Sequence, residues 1–162
     1  MKKLLAVLCC AQFILTPLLF AQDAGNDRPV SAPEYGMPIL LAQAKQLAAS
    51  VMAQANRDGE LDIVVAVVHP SGDLIYFEKM DKSTYVSIDL AQHKAIMAAR
   101  FRIASGNLPP SGDTIPDAIG LSGGLPIVYQ GKTIGAIGVS GAESNDVVYG
   151  EVAIAELNAS AK

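Results

Sequence analysis

Residues 122–142, S-G-G-L-P-I-V-Y-Q-G-K-T-I-G-A-I-G-V-S-G-A, constrain the fold more than any other stretch of the chain. Two β-prone runs, 125–129 and 133–139, flank the dipeptide Gln130-Gly131, which predicts a hairpin with a tight turn. The glycines of this stretch demand backbone that either turns sharply or lets another element approach closely, and the pattern leaves both readings open. Ser140-Gly141-Ala142-Glu143 then has the spacing of a capping box. It predicts a last helix whose apolar surface comes from Val147, Val148, Val152, Ile154, Ala155 and Leu157.

Upstream, apolar residues at Leu40, Ala44, Leu47, Ala48, Val51, Met52 and Ala55 recur every three or four positions, which predicts a helix from about residue 38. It should end near Asp58-Gly59, with Gly59 suited to the left-handed position after the last turn. Residues 62–68, D-I-V-V-A-V-V, read as a strand covered on both faces. His69-Pro70-Ser71-Gly72-Asp73 is turn chemistry, and 74–80 returns as the partner strand. A second helix is predicted over 86–101. One line of it carries Val86, Leu90, His93, Met97 and Arg100, and another the small surface Ile88, Ala91, Ala95, Ala98 and Ala99, suited to close packing. Residues 103–121 read as a long loop, and 22–37, with two prolines, two glycines and no period, as a flexible linker. Two hairpins, rather than β-α-β crossovers, predict an α+β domain over 38–162, an antiparallel sheet with helices packed on it.

Residues 1–21 are of another kind. Met1-Lys2-Lys3 is a positive start, and the run 4–20 is apolar except for Gln12, Thr16 and Pro17. This predicts a secretory signal peptide cleaved near Ala21, and hence a periplasmic or secreted product with no membrane attachment after cleavage. A membrane anchor would need about 20 unbroken apolar residues. Cys9 and Cys10 both lie in this leader, so the mature chain holds no disulfide, thiolate metal site or cysteine nucleophile. Losing Lys2 and Lys3 and no acid leaves ten basic against sixteen acidic residues, a net charge of −6. That charge, with no basic cluster, argues against nucleic acid as a partner.

The motifs exclude several chemistries. Residues 135–142, G-A-I-G-V-S-G-A, match neither G-x-G-x-x-G nor a P-loop, and Ser140 is not in a G-x-S-x-G elbow. What remains is a helix start with free N–H groups, suited to an anion, or glycines that merely permit close packing. No catalytic set is legible. With two histidines the chain cannot build a three-histidine metal cage. His69 precedes Pro70 and reads as a turn cap. His93 shares its line with Leu90 and Met97 and is either a core or interface histidine or an axial ligand to a heme. Asp89, four residues before His93, adds a weak surface-metal alternative. Glu143, Asp146 and Glu151 read as a solvated helix face.

The segments V-A-V-V-H-P-S-G-D-L (65–74), Lys79-Met80-Asp81, A-Q-H-K-A (91–95), G-G-L-P-I (123–127) and G-A-I-G-V-S-G-A (135–142) resemble, in their order, the GlcG/HbpS-type heme-binding family, related to the C-terminal domain of PduO-type proteins. The resemblance covers about 37–157. It implies a profilin-like fold, assembly into homo-oligomers, and heme as the cofactor of an extracellular carrier, store or sensor with some handling of iron. His69 stands where many relatives carry Asp, so it is either a new ligand or a harmless exchange. The family's heme ligands vary, and local chemistry selects His93 as axial ligand. Met97 and Leu90 would form the wall, Arg100 or Lys94 would pair with a propionate, and the backbone at Gly138, Ser140 and Gly141 would make a neighbouring anion contact. Two rival functions stand beside this one. One is an enzyme on a small carboxylate with His69 or His93 as acid–base. The other is a ligand-free oligomeric adaptor using the 103–121 loop and the small-residue helix surface.

Overall fold

The computed structural model describes residues 32–109, 120–142 and 145–160. The element order is α1 (Leu41–Asp58), β1 (Val64–Val68), β2 (Leu74–Lys79), α2 (Tyr85–Phe101), a short 3-10 turn (Ser105–Asn107), β3 (Gly124–Tyr129), β4 (Lys132–Ser140) and α3 (Asp146–Ser160). The four strands form one antiparallel sheet in the order β2-β1-β4-β3, so the two predicted hairpins are joined by a central β1–β4 ladder. The fold is the expected α+β arrangement. Val64–Val68 is buried at every position, as a β-branched run in the middle of a doubly covered sheet should be. His69 lies in the β1–β2 turn, where its N–H donates to the Asp73 carbonyl and its own carbonyl accepts from Gly72.

The strand alternation divides the core. Val65, Val67, Ile127, Ile137 and Val139 pack with Leu47, Val51 and Ala55 of α1 and Tyr149, Ala153 and Leu157 of α3. On the other face Val64, Ala66, Val68 and Ala136 meet Ala91, Ala95, Ala98 and Ala99 of α2. The small-residue surface of α2 is therefore consumed inside the chain, and the adaptor reading loses it as a subunit contact. Close packing of α2 also decides the question of the glycines. A Cβ at Gly138 would overlap the Ala91 carbonyl oxygen, and one at Gly124 the Lys94 carbonyl oxygen. Turning is the second use, at Gln130 and Gly131, whose φ values of 49° and 75° fit a two-residue hairpin turn.

Four local expectations change. Ser140 is the last residue of β4, and α3 begins only at Asp146, so Ser140 does not cap that helix. Glu143 lies outside the described residues. The buried face of α3 is Asp146, Tyr149, Gly150, Ala153 and Leu157, while Val148 and Ala155 are exposed. Residues 32–37 of the expected linker run beside β4. Tyr35 forms a parallel bridge with Thr133, and its hydroxyl donates to the carbonyls of Ala99 (3.2 Å) and Arg100 (2.9 Å) at the end of α2. The Arg102 guanidinium lies 4.9 Å from the Tyr35 ring centroid and donates to the Pro33 carbonyl at 3.0 Å. In the expected loop, Ser105 is fully buried, donates to the Leu121 carbonyl and accepts the Gly124 N–H at 2.9 Å. Of that loop, 110–119 lie outside the described residues.

Candidate functional site

A cleft of about 350 Å³ opens where the N-terminal half of α2 leaves the end of β4. Ser87, Leu90 and Lys94 of α2 form one side, and Ser140 and Gly141 another. Leu121 and Ser122 enter from before β3, and Asp146 from the start of α3. Its floor is a buried ion pair. Lys94 Nζ lies 2.7 Å from Asp146 Oδ2, with the two side chains 6% and 5% exposed. Lys94 also donates to the Val139 carbonyl at 3.0 Å, and Asp146 Oδ1 accepts the Ala142 N–H at 2.9 Å. Asp146 is thus not part of a solvated face, and it takes one of the N–H groups at the glycine-rich exit that were expected to face an anion. Burial pushes its carboxyl above the usual carboxylate range, more than the Lys94 hydrogen bond and charge pull it down.

Four of the sequence-selected residues, Leu90, Lys94, Ser140 and Gly141, line this cleft. The others lie elsewhere. Gly138 is covered by α2 at Ala91. Met97 is buried in a small cluster with Leu108, Ile96 and Phe101. His93 is half-buried. At about 100° per residue it falls on the outward side of α2, in line with exposed Val86, Asp89 and Arg100. Leu90 sits between His93 and Lys94 around the helix, so His93 lies just past the cleft's rim. Arg100 is exposed on that outward side, its Nε donating to the Ser71 carbonyl at 3.0 Å. Among the described residues no group of three or more His, Cys, Asp or Glu could hold a metal ion, and no helix is long and apolar enough to cross a membrane.

Sequence reasoning missed the Lys94–Asp146 pair. Its signal was a lone lysine on the alanine side of α2, a position no lysine occupies without a buried partner.

Comparison with known proteins fixes the family. The model of the HbpS-like family, described as haem degrading protein HbpS-like, matches residues 39–155. The chain belongs to the HbpS-like family. A 15.0 kDa protein from the dhaT–dhaS intergenic region of Citrobacter freundii is 32% identical over 114 residues, which is 64% of this chain and 80% of that protein. GlcG of Escherichia coli is 29% identical over 112 residues, 63% of this chain and 82% of GlcG. Among solved structures, a double mutant of Streptomyces reticuli HbpS superposes with a TM-score of 0.68 at 28% identity, over 75% of this chain and 88% of that one. The HbpS-like match spans α1 to α3, so both the cleft and the outward side of α2 lie within it.

Proposed function

We propose that this HbpS-like protein is an exported heme-binding protein that carries, stores or senses heme outside the cytoplasm. The observation that carries the reading is the family match over residues 39–155, to a family described by its action on haem. The local chemistry supports it. His93 stands on the outward side of α2 with the half-buried Leu90 next to it and the exposed Val86 two turns back, apolar groups that suit a flat ring, on a side it shares with Asp89 and Arg100. Of the two cations considered for a propionate, Arg100 is the better placed. It shares the outward side with His93 two helical turns away, whereas the charge of Lys94 is already matched by Asp146. Bound heme would bring an iron centre, and this chain's part would be to ligate it through His93 and to neutralise a propionate through Arg100. In a homo-oligomer a second copy would cover Tyr85, which is 86% exposed at the start of α2.

The test is a heme titration followed by visible absorption, on the full chain and on His93→Ala and Arg100→Ala. A saturable Soret band is expected, shifted or lost in His93→Ala and unshifted but weaker-binding in Arg100→Ala. No saturable band removes the function; an unchanged band in His93→Ala removes the ligand assignment. Export is tested separately by N-terminal sequencing after expression in a bacterial host. A mature start near Gln22 in the periplasmic fraction is expected, and an intact Met1 in the cytoplasm would refute it.

A further inference from the structure

The floor of the cleft has more hydrogen-bonding capacity than the chain itself uses. The Lys94 ammonium carries three N–H donors. One goes to the Val139 carbonyl and one to Asp146, and the third finds no acceptor among the described residues. Ser140 is 4% exposed and lines the cleft. It points to the α2 side because it alternates with Val139, which packs in the opposite core. Its hydroxyl makes no hydrogen bond among the described residues. The two Asp146 oxygens accept one bond each, from Lys94 and Ala142, which leaves lone pairs on both. Donors and an acceptor therefore stand side by side, and Leu90 and Leu121 supply an apolar wall.

We propose that this cleft binds a short-chain carboxylate together with one proton, that is, as the neutral carboxylic acid. A carboxyl group is a small unit that offers an acceptor oxygen next to an O–H donor. Its C=O would accept from Lys94 and Ser140, its O–H would donate to Asp146, and its alkyl chain would lie on Leu90 and Leu121. Size selects a small ligand, since the cleft is near the lower end of the roughly 300–1,000 Å³ common for ligand pockets. Charge selects the extra proton. Lys94 and Asp146 already cancel, so a bare carboxylate would place uncompensated negative charge beside Asp146, with Asp62 adding to it from the approach to β1. Lys94 from α2, Asp62 and Asp146 itself are the charged groups of the described residues that act at this point. The elevated carboxyl of Asp146 makes the site ready to hold the shared proton. The proposal does not rest on heme, which would engage the outward side of α2 and share only Leu90 with this cleft.

The probe is sodium butyrate, titrated into the full chain against sodium chloride at matched ionic strength, and read by amide chemical shifts at pH 5, 6, 7 and 8. Saturable shifts are expected at Ser140, Gly141 and Leu121, with an affinity that weakens about tenfold per pH unit at the alkaline end, as linkage to one proton requires. Ser140→Ala keeps the ion pair and should weaken binding about two- to tenfold, as loss of a charge-free hydrogen bond does. Absence of cleft shifts at pH 5, a pH-independent affinity, or an unchanged affinity in Ser140→Ala would each overturn the proposal, whatever the heme titration gives.

Discussion

Replacing Lys94 by Met tests the energetics of the cleft floor. At 2.7 Å, with an effective dielectric of about 20, the Lys94–Asp146 attraction is about 6 kcal/mol. Desolvating two ions costs several kcal/mol each, so the intact pair contributes little net stability. Breaking it is another matter, because Lys94→Met keeps the apolar stem and strands the Asp146 carboxylate. Losses of about 3–5 kcal/mol are typical of such a stranded charge. The variant has one escape, to protonate Asp146. From an unfolded value of about 3.9, that costs about 4 kcal/mol at pH 7 and about 1.5 kcal/mol at pH 5, at about 1.36 kcal/mol per unit.

The sign follows from the direction of the shift. A carboxyl whose folded value lies above its unfolded one contributes fully below the unfolded value, and the contribution is lost as pH rises through the folded value. Lys94→Met raises Asp146 further and extends that window upward. The expected destabilisation is therefore about 3–4 kcal/mol at pH 7, shrinking to about 1.5 kcal/mol at pH 5, against a total of about 5–15 kcal/mol for a domain. Urea unfolding followed by circular dichroism at both pH values measures it. A loss below about 1 kcal/mol at pH 7, or an equal loss at pH 5, would refute the reasoning. The double variant Lys94→Met/Asp146→Leu should recover most of the stability, since neither charge remains.

Gly138→Ala should cost more than about 2 kcal/mol, because α2 must lift off the sheet, whereas Gly131→Ala in the open hairpin turn should cost about 1–2 kcal/mol from its φ of 75° alone. Thermal unfolding of the pair gives the ranking, and a reversed order would contradict close approach as the reason for Gly138. Tyr149 is 1% exposed and burial pushes its phenol up to about 12, with Asp58 and Glu60 adding to the shift. Its folded value lies above the unfolded one, so its contribution is intact below pH 10 and is lost as pH rises from about 10 to about 12. Tyr149→Phe should move the alkaline unfolding midpoint upward, and an unchanged midpoint would show that another group sets it. Arg102→Ala removes the contact with the Tyr35 ring and the hydrogen bond to Pro33, and limited proteolysis should then cut near residue 35 sooner than in the parent.

The sheet was legible because its signals are local. The run 64–68 could be little else than a central strand, and Gln130-Gly131 between two β-branched runs fixed the second hairpin. The phase of α3 was not legible. That helix is apolar around most of its circumference, with Val147, Val148, Val152 and Ile154 on several sides, so counting apolar residues could not show that Tyr149 and Ala153 face the sheet. Asp146 was hidden for a related reason. An acid in a first helical turn is ordinary, and only the distant Lys94, 52 residues away in sequence, gives it a different meaning. Residues 32–37 lacked any period and still dock, because Thr133 and the Arg102 guanidinium satisfy their backbone and the Tyr35 hydroxyl ties them to the end of α2, without a core of their own.

The glycines and the ion pair are parts of one arrangement. Lys94 reaches Val139 and Asp146 only because α2 lies low on β3 and β4, and α2 lies low because Gly124 and Gly138 present no side chain beneath it. Gly123 extends the same logic to the ion pair itself. A Cβ there would come 3.0 Å from Lys94 Nζ and 2.9 Å from the Asp146 Cβ, against the pair. The sequence signature that marks the family thus sets the height of one helix above its sheet. That height places Lys94 inward at the cleft and leaves His93 outward on the other side of Leu90. Gly138→Ala should therefore disturb butyrate binding along with stability, while heme binding at His93, past Leu90 on the outward side of the helix, should change far less. Equal loss of both ligands at a temperature where the variant is still folded would show that the two sides of α2 are not independent.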